Sequence, residues 1–251
     1  MPFTLCHPAI VIPLYRVAPR LTSLAALVIG SMAPDFVYFF SLGVSGSFSH
    51  SVPGILMYCV PAGAVVYIVY YKLVRQPVLS WLPHAISGRM AWHVAWPLQG
   101  ARAVAVVLGS LAIGASTHIF WDSFTHGNTV FVNHFAVLGS MVSVGGHQVP
   151  LFKVLQQASS LLGFIVIASY LFAWFTRTAP AEQCPATLNT RQRLLALAVV
   201  GTAAIAGAVS GLLLRRAISI EHGLFNMVVT GMATTAIAIL LLCVGWKMRS
   251  R

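Results

Sequence analysis

Five apolar runs, at 51–71, 103–121, 158–176, 194–214 and 224–246, leave this chain few folds to choose from. Each holds about 20 residues, which as α-helix rise about 30 Å, the thickness of a bilayer's hydrocarbon core. A segment in lipid must satisfy its own backbone N–H and C=O groups, and a helix does so. Only 8% of the residues are charged and 58% are hydrophobic, against about 25% charged in a soluble domain. The sequence predicts an all-α polytopic membrane bundle. A short N-terminal helical hairpin (helices over 8–18 and 21–34, the apolar pattern running on to 40) precedes about five further spans. One membrane domain is expected over 1–251, with a polar-decorated half, 1–130, and a three-helix half, 158–246.

The net charge of +11 is spread between the apolar runs. It reads as topology signals and contacts to anionic lipid, and no nucleic-acid partner is expected. Cys6, Cys59, Cys184 and Cys243 form no CxxC, so neither a disulfide framework nor a thiolate metal site is implied. Cys6, beside His7, is a spare ligand or a small buried residue. The opening residues show no positive n-region and no clear small-residue cleavage site, so no cleaved signal peptide is expected.

The stretch GASTHIFWDSFTHGN, 114–128, carries His118, Asp122 and His126. Four residues on a helix turn about 400°, so each step of four drifts only about 40° around the axis. The three side chains are expected on one stripe. Imidazole and carboxylate on one helix face is how proteins hold a transition metal. The alternative is a polar stripe that hydrogen-bonds neighbouring helices. Asp122 is one of only four acidic residues in the chain.

Three further polar residues stand at helix mouths or bends. His7 precedes Pro8, which suits a first helical turn; a capping histidine is the plainer reading. Asp35 follows Pro34 at the end of an apolar run, where a carboxylate costs about 2.5–3.5 kcal/mol on insertion scales and needs a partner or water. His50 lies between Ser49 and Ser51, with Ser51 placed to cap the next helix and Pro53 in its first turn.

The remaining segments carry weaker signals. Basic residues and Trp81, Trp92 and Trp96 over 72–102 predict an interfacial segment; His84 and His93 fall there with no chemistry assigned. Residues 129–157 read as a loop, with VFVNHFAVLGSMVSV apolar enough to dip into the bilayer as a cover. GAVSG, 207–211, is a GxxxG pattern that marks close helix packing.

Topology follows from the basic residues. Arg16, Arg20, the 72–102 segment, Arg177, Arg191, Arg193, Lys247, Arg249 and Arg251 fall on one side, twelve of the fifteen Lys and Arg. The positive-inside rule makes that side, with the C-terminus, cytoplasmic. Asp35, His50, His118, Asp122 and His126 then share the opposite end, and the N-terminal hairpin brings His7 to them. No charge count used those residues, so their clustering is a separate observation.

The motifs MPFTLCHPA, LVIGSMAPDF, SHSVPG and HIFWD resemble an uncharacterised bacterial membrane-protein family with an MPFT–HPA opening, known as a domain of unknown function. That resemblance covers about residues 1–130. The motif order is similar to the YdjM-like membrane-bound metal-dependent hydrolases, and more remotely to the zinc-dependent phospholipase C and nuclease group. Those hydrolases show Pro-Asp-x-Asp-His, whereas here Phe36-Val37-Tyr38 follow Pro34-Asp35. The resemblance implies a site of His7, Asp35, His50, His118 and Asp122; His126 is added by helix spacing.

The chemistry agrees with that implication. Such ligands suit zinc, as one or two ions, with manganese or iron as alternatives. Asp35 or Asp122 is the expected proton acceptor. The expected function is a membrane-bound hydrolase of a phosphoester or ester, acting on a membrane lipid or lipid-linked small molecule. Its expected place is the outer face of a bacterial cytoplasmic membrane. Two readings stand beside it: an ion- or proton-coupled transporter, and a structural membrane protein whose helices a metal ties together.

Overall fold

The computed structural model describes residues 3–40, 43–90, 97–181, 188–214 and 219–249. The described residues form an all-α helical bundle with one small hairpin. Among them, five segments are helical, long and apolar enough to cross a membrane: Val52–Trp81, Ala101–His134 (one long helix and a short one after it), Leu151–Arg177, Thr190–Leu214 and Ile220–Arg249. The protein is a multi-pass membrane protein.

In chain order, a 3-10 turn at Thr4–Cys6 leads into α1 (Pro8–Val17), then α2 (Leu24–Met32), a second 3-10 turn at Ala33–Asp35, and α3 (Phe36–Phe40). A short α4 (Gly46–Ser49) precedes α5 (Val52–Trp81), and α6 is His84–Ser87. Then come α7 (Ala101–Thr125), α8 (Val130–His134) and α9 (Ala136–Gly139). The strands β1 (Met141–Val144) and β2 (His147–Pro150) lead into α10 (Leu151–Arg177), α11 (Thr190–Leu214) and α12 (Ile220–Arg249).

Local sequence explains the helix starts. Ser23, Ser45 and Ser51 each accept a hydrogen bond from a backbone N–H in the first turn of α2, α4 and α5. Pro8 and Pro53 sit in first turns, where a missing N–H costs nothing. The predicted helix over 21–40 is interrupted: Pro34 lies in the 3-10 turn that separates α2 from α3 and carries Asp35.

Two other expectations change. The helix predicted to stop at 71 continues to Trp81, with π turns at Ile55–Cys59 and Tyr70–Val74. Lys72 and Arg75 therefore ride on a helix rather than in a separate interfacial segment; His93, Trp92 and Trp96 lie outside the described residues. The loop expected over 129–157 is instead two short helices, an antiparallel hairpin pairing Met141 with Pro150 and Val144 with His147, and the first turns of α10.

The chain forms two compact units. One comprises Met1–Val37, Gly43–Tyr67 and Pro97–Trp174; the other comprises Tyr38–Leu42, Ile68–Trp96 and Phe175–Arg251. In the second, α11 packs along α12. Gly207 and Gly211 lie so close to Thr230, Thr234 and Asn226 of α12 that an added Cβ would overlap them, as the GxxxG pattern predicts. Trp81, Ala196 and Cys243 form its buried centre.

In the first unit, α2 and α7 run parallel in a constant register. Ser23 N–H donates to Ser110 Oγ (2.9 Å), Leu27 O lies against Gly114, and Ser31 O accepts from His118. Each pairing joins residues 87 apart in sequence. A Cβ on Gly30 would stand 2.3 Å from Leu111 O, and one on Gly114 would stand 2.4 Å from Leu27 O. Glycine at both positions lets the two backbones touch.

Candidate metal centre

The same register that pairs Ser23 with Ser110 and Ser31 with His118 carries one step further to Asp35 and Asp122. The Ala33–Asp35 turn extends the α2 stripe, and α7 continues unbroken to Thr125. Asp35 and His118 are wholly buried, and Asp122 and His7 are buried beside them. His50, the residue after α4, completes the group with its side chain 20% exposed.

Four donor atoms form a closed figure. His50 Nε2 is 3.3 Å from Asp35 Oδ1 and 3.8 Å from Asp122 Oδ2. His118 Nε2 is 3.7 Å from Asp35 Oδ1 and 3.3 Å from Asp122 Oδ2. Donors 2.0–2.2 Å from a tetrahedral ion stand about 3.3–3.6 Å apart. The separations His50–Asp35 and His118–Asp122 fall in that range, and the other two are slightly longer.

Each side chain is held by its other polar atom. His118 Nδ1–H donates to Ser31 O at 2.7 Å, which holds the ring so that Nε2 faces Asp122 and Asp35. His50 Nδ1–H donates to Gly46 O at 2.8 Å, which orients the ring so that Nε2 faces Asp35 and Asp122. Thr4 Oγ1–H donates to Asp35 Oδ2 at 2.5 Å, so only Oδ1 turns inward. Asp35 Oδ1, His118 Nε2, Asp122 Oδ1 and His7 Nε2 are buried with no hydrogen-bond partner. Buried polar atoms without partners are rare and costly. Four of them in one cluster, shared between two candidate ligand groups, is an arrangement a cation satisfies.

His7 belongs to this cluster and does not cap α1, for its side chain makes no cap hydrogen bond. Its Nε2 is 3.5 Å from Asp122 Oδ1, and its ring stacks on His118 with centroids 3.7 Å apart. Burial, and then the neighbouring His118, hold its pKa down at about 3 despite the opposing pull of Asp122 and Asp35. The imidazole is neutral at neutral pH and offers its lone pair. His7, His118 and Asp122 form one candidate ligand group, and Asp35, His50 and His118 form another, with His118 common to both.

His126 differs from its expected place. α7 ends at Thr125, and His126 has extended backbone (φ −125°, ψ 140°), so it is not on the helical stripe. Its ring folds back instead. Nδ1 lies 3.2 Å from Asp122 O and 3.5 Å from Asp122 Oδ1, while Nε2 accepts from the Gln156 amide of α10 at 3.1 Å. With both nitrogens engaged, His126 braces Asp122 from outside the two ligand groups. Cys6 is buried, lies outside both groups, and packs against Gly163. Thr4, Ser31 and Gln156 carry no metal-ligand signature in sequence. The readable trace is the four-residue spacing Ser23, Leu27, Ser31, Asp35 beside Ser110, Gly114, His118, Asp122.

A family described as a domain of unknown function (DUF4184) matches residues 1–244. The chain belongs to this family. The match runs through the last three helices as well as the half that carries the cluster, so the resemblance read from 1–130 extends over nearly the whole chain. No curated protein and no solved structure matches it.

Proposed function

We propose that this protein is a membrane-bound metal-dependent hydrolase that cleaves a phosphoester or ester of a lipid-like substrate. The observation that carries the reading is the gathering of His7, Asp35, His50, His118 and Asp122 into two candidate ligand groups that share His118, with four buried polar atoms among them lacking a hydrogen-bond partner. Asp35, His50, His118 and Asp122 would hold the ion. His7 supplies a fifth donor beside Asp122; because the lone pair of His118 Nε2 serves a single ion, a second ion would have to be held by His7 and Asp122 without it. Imidazole and carboxylate suit zinc first, then manganese or iron.

A dication held by these residues would supply Lewis acidity and acidify a nearby water. The chain's own residues divide the rest. Asp35 has one oxygen committed to Thr4, so it serves as a one-oxygen ligand. Asp122 presents both oxygens, Oδ2 to His118 and His50 and Oδ1 to His7 and His126. Asp122 would help hold the ion, and its Oδ1, facing His7 and His126, would accept a proton in the general-base role. The exposed edges of His50 and His126 give water an entry, which a closed structural site lacks.

Placement at the extracytoplasmic face of a bacterial cytoplasmic membrane, with the C-terminus cytoplasmic, rests on the side holding twelve of the fifteen basic residues. The α7 helix supports it: Asp122 is 21 residues from its start at Ala101, about 30 Å at 1.5 Å per residue, one hydrocarbon thickness from Arg102. Motif order similar to the YdjM-like hydrolases, and remotely to zinc-dependent phospholipase C, agrees in chemistry. The missing second acidic residue after Asp35 favours a site centred on the four-donor figure.

The test is hydrolysis of a panel of lipid phosphate and carboxylate esters by purified protein, with and without chelator. Chelator-sensitive turnover abolished in Asp122→Asn supports the reading. Firmly bound metal with no turnover across the panel overturns it in favour of a metal that ties helices together.

A further inference from the structure

An apolar groove of about 160 Å³ opens beside the cluster. Its walls are Ala9 and Ile10 of α1, His7 before it, Trp121 of α7, and Leu162, Gly163 and Val166 of α10. His7 lines the groove and also turns Nε2 toward Asp122 Oδ1, so one wall of the groove is a member of the cluster. Leu162, on the α10 wall, is 57% exposed, and α10 is an apolar span. The groove therefore lies between an exposed apolar helix surface and the polar cluster.

We propose that this groove is the subsite for a single apolar chain of the substrate, with the bond to be cleaved lying past His7 at the metal centre. The inference rests on the hydrolase reading above and names the substrate class: a single-chain amphiphile bearing a phosphate or ester head.

Size argues for one chain. A cavity of about 150 Å³ takes up benzene, so about six carbon atoms fill this one. Two acyl chains side by side do not fit. About six carbons nearest the head are held by protein, and the remainder extends past exposed Leu162 into the bilayer. The lining is mostly apolar; besides His7, its polar groups are the Trp121 indole N–H, the Cys6 thiol and the Ser159 hydroxyl, and that hydroxyl donates to Gln156 O of its own helix.

The test uses n-alkyl phosphates from methyl to hexyl, which are too short to partition strongly into micelles. Metal content of the purified protein is measured first. Binding of each phosphate is then followed by calorimetry on wild type, Val166→Trp, Leu162→Trp and chelated protein. α10 supplies no ligand to the cluster, so unchanged metal content certifies that the two tryptophan variants fold. Wild type should gain up to about fourfold in affinity per added methylene. Val166→Trp and Leu162→Trp should bind methyl phosphate and lose most of that gain, and chelated protein should bind none of the series.

A flat wild-type series, or variants that follow the wild-type rise, overturns the subsite while leaving the metal centre standing. Hexyl phosphate bound equally well after chelation shows that the groove holds bulk bilayer lipid only, and also overturns it. A wild-type protein without metal overturns the hydrolase reading itself, and this subsite with it.

Discussion

Gly114→Ala tests whether the contact between α2 and α7 sets the geometry of the cluster. A Cβ on Gly114 would stand 2.4 Å from Leu27 O and 2.6 Å from Ser31 N, both on the α2 backbone. Ordinary contact needs about 3.5 Å, so the helices must part by about 1 Å. The His118 Nδ1–H bond to Ser31 O, 2.7 Å long, sits one helical turn further on. Opened by about 1 Å it is no longer a hydrogen bond. His118 then loses the contact that holds its ring and aims Nε2. Metal affinity should fall about 10–100-fold, as it does when a ligand's supporting hydrogen bond is removed. The crowding itself should cost about 1–3 kcal/mol of stability. Competition against a chromophoric zinc chelator reads the affinity, and thermal unfolding in detergent reads the stability. Gly109→Ala is the control, because a Cβ there meets nothing within 4 Å on the same helix. A Gly114→Ala protein with wild-type zinc affinity and wild-type unfolding temperature would refute the argument.

Thr4→Val removes the hydroxyl that donates to buried Asp35 Oδ2. It should destabilise the protein by about 1–3 kcal/mol, with Thr4→Ser close to wild type in the same unfolding assay. His126→Ala should weaken metal binding about tenfold, since the ring supports Asp122 from outside the ligand groups; loss as complete as in His118→Ala would make it a ligand. Zinc uptake monitored with a pH indicator should release protons and weaken on acidification, because imidazole ligands bind metal only when neutral. A reporter enzyme fused after Arg251 should report a cytoplasmic location; an external reading would turn the cluster to the inside.

The membrane bundle is legible because runs of about 20 apolar residues have one economical solution in lipid. Sequence placed His118 and Asp122 on one stripe because both lie inside a helix whose period is known. His126 left the stripe because α7 ends one residue earlier, and spacing alone does not locate a helix end. The association of His7 and His50 with the stripe came from topology, and the structure brings all three elements together. What escaped was the supporting layer. The carbonyls of Ser31 and Gly46 are backbone atoms that no side-chain pattern marks. Thr4 donates to Asp35 across 31 residues, and Gln156 reaches His126 across 30. The hairpin at 141–150 was hidden because its strands are four residues each, too short to show alternation.

The central claim is that the convergent donors hold a metal. Elemental analysis of detergent-purified protein, wild type beside His118→Ala, tests it most directly, because His118 is common to both candidate ligand groups. The account predicts about one or more zinc, manganese or iron ions per wild-type chain, and almost none in a folded His118→Ala protein. No metal in either protein, even after incubation with zinc, would contradict it and leave the buried imidazoles and carboxylates as a hydrogen-bonding or proton-carrying cluster.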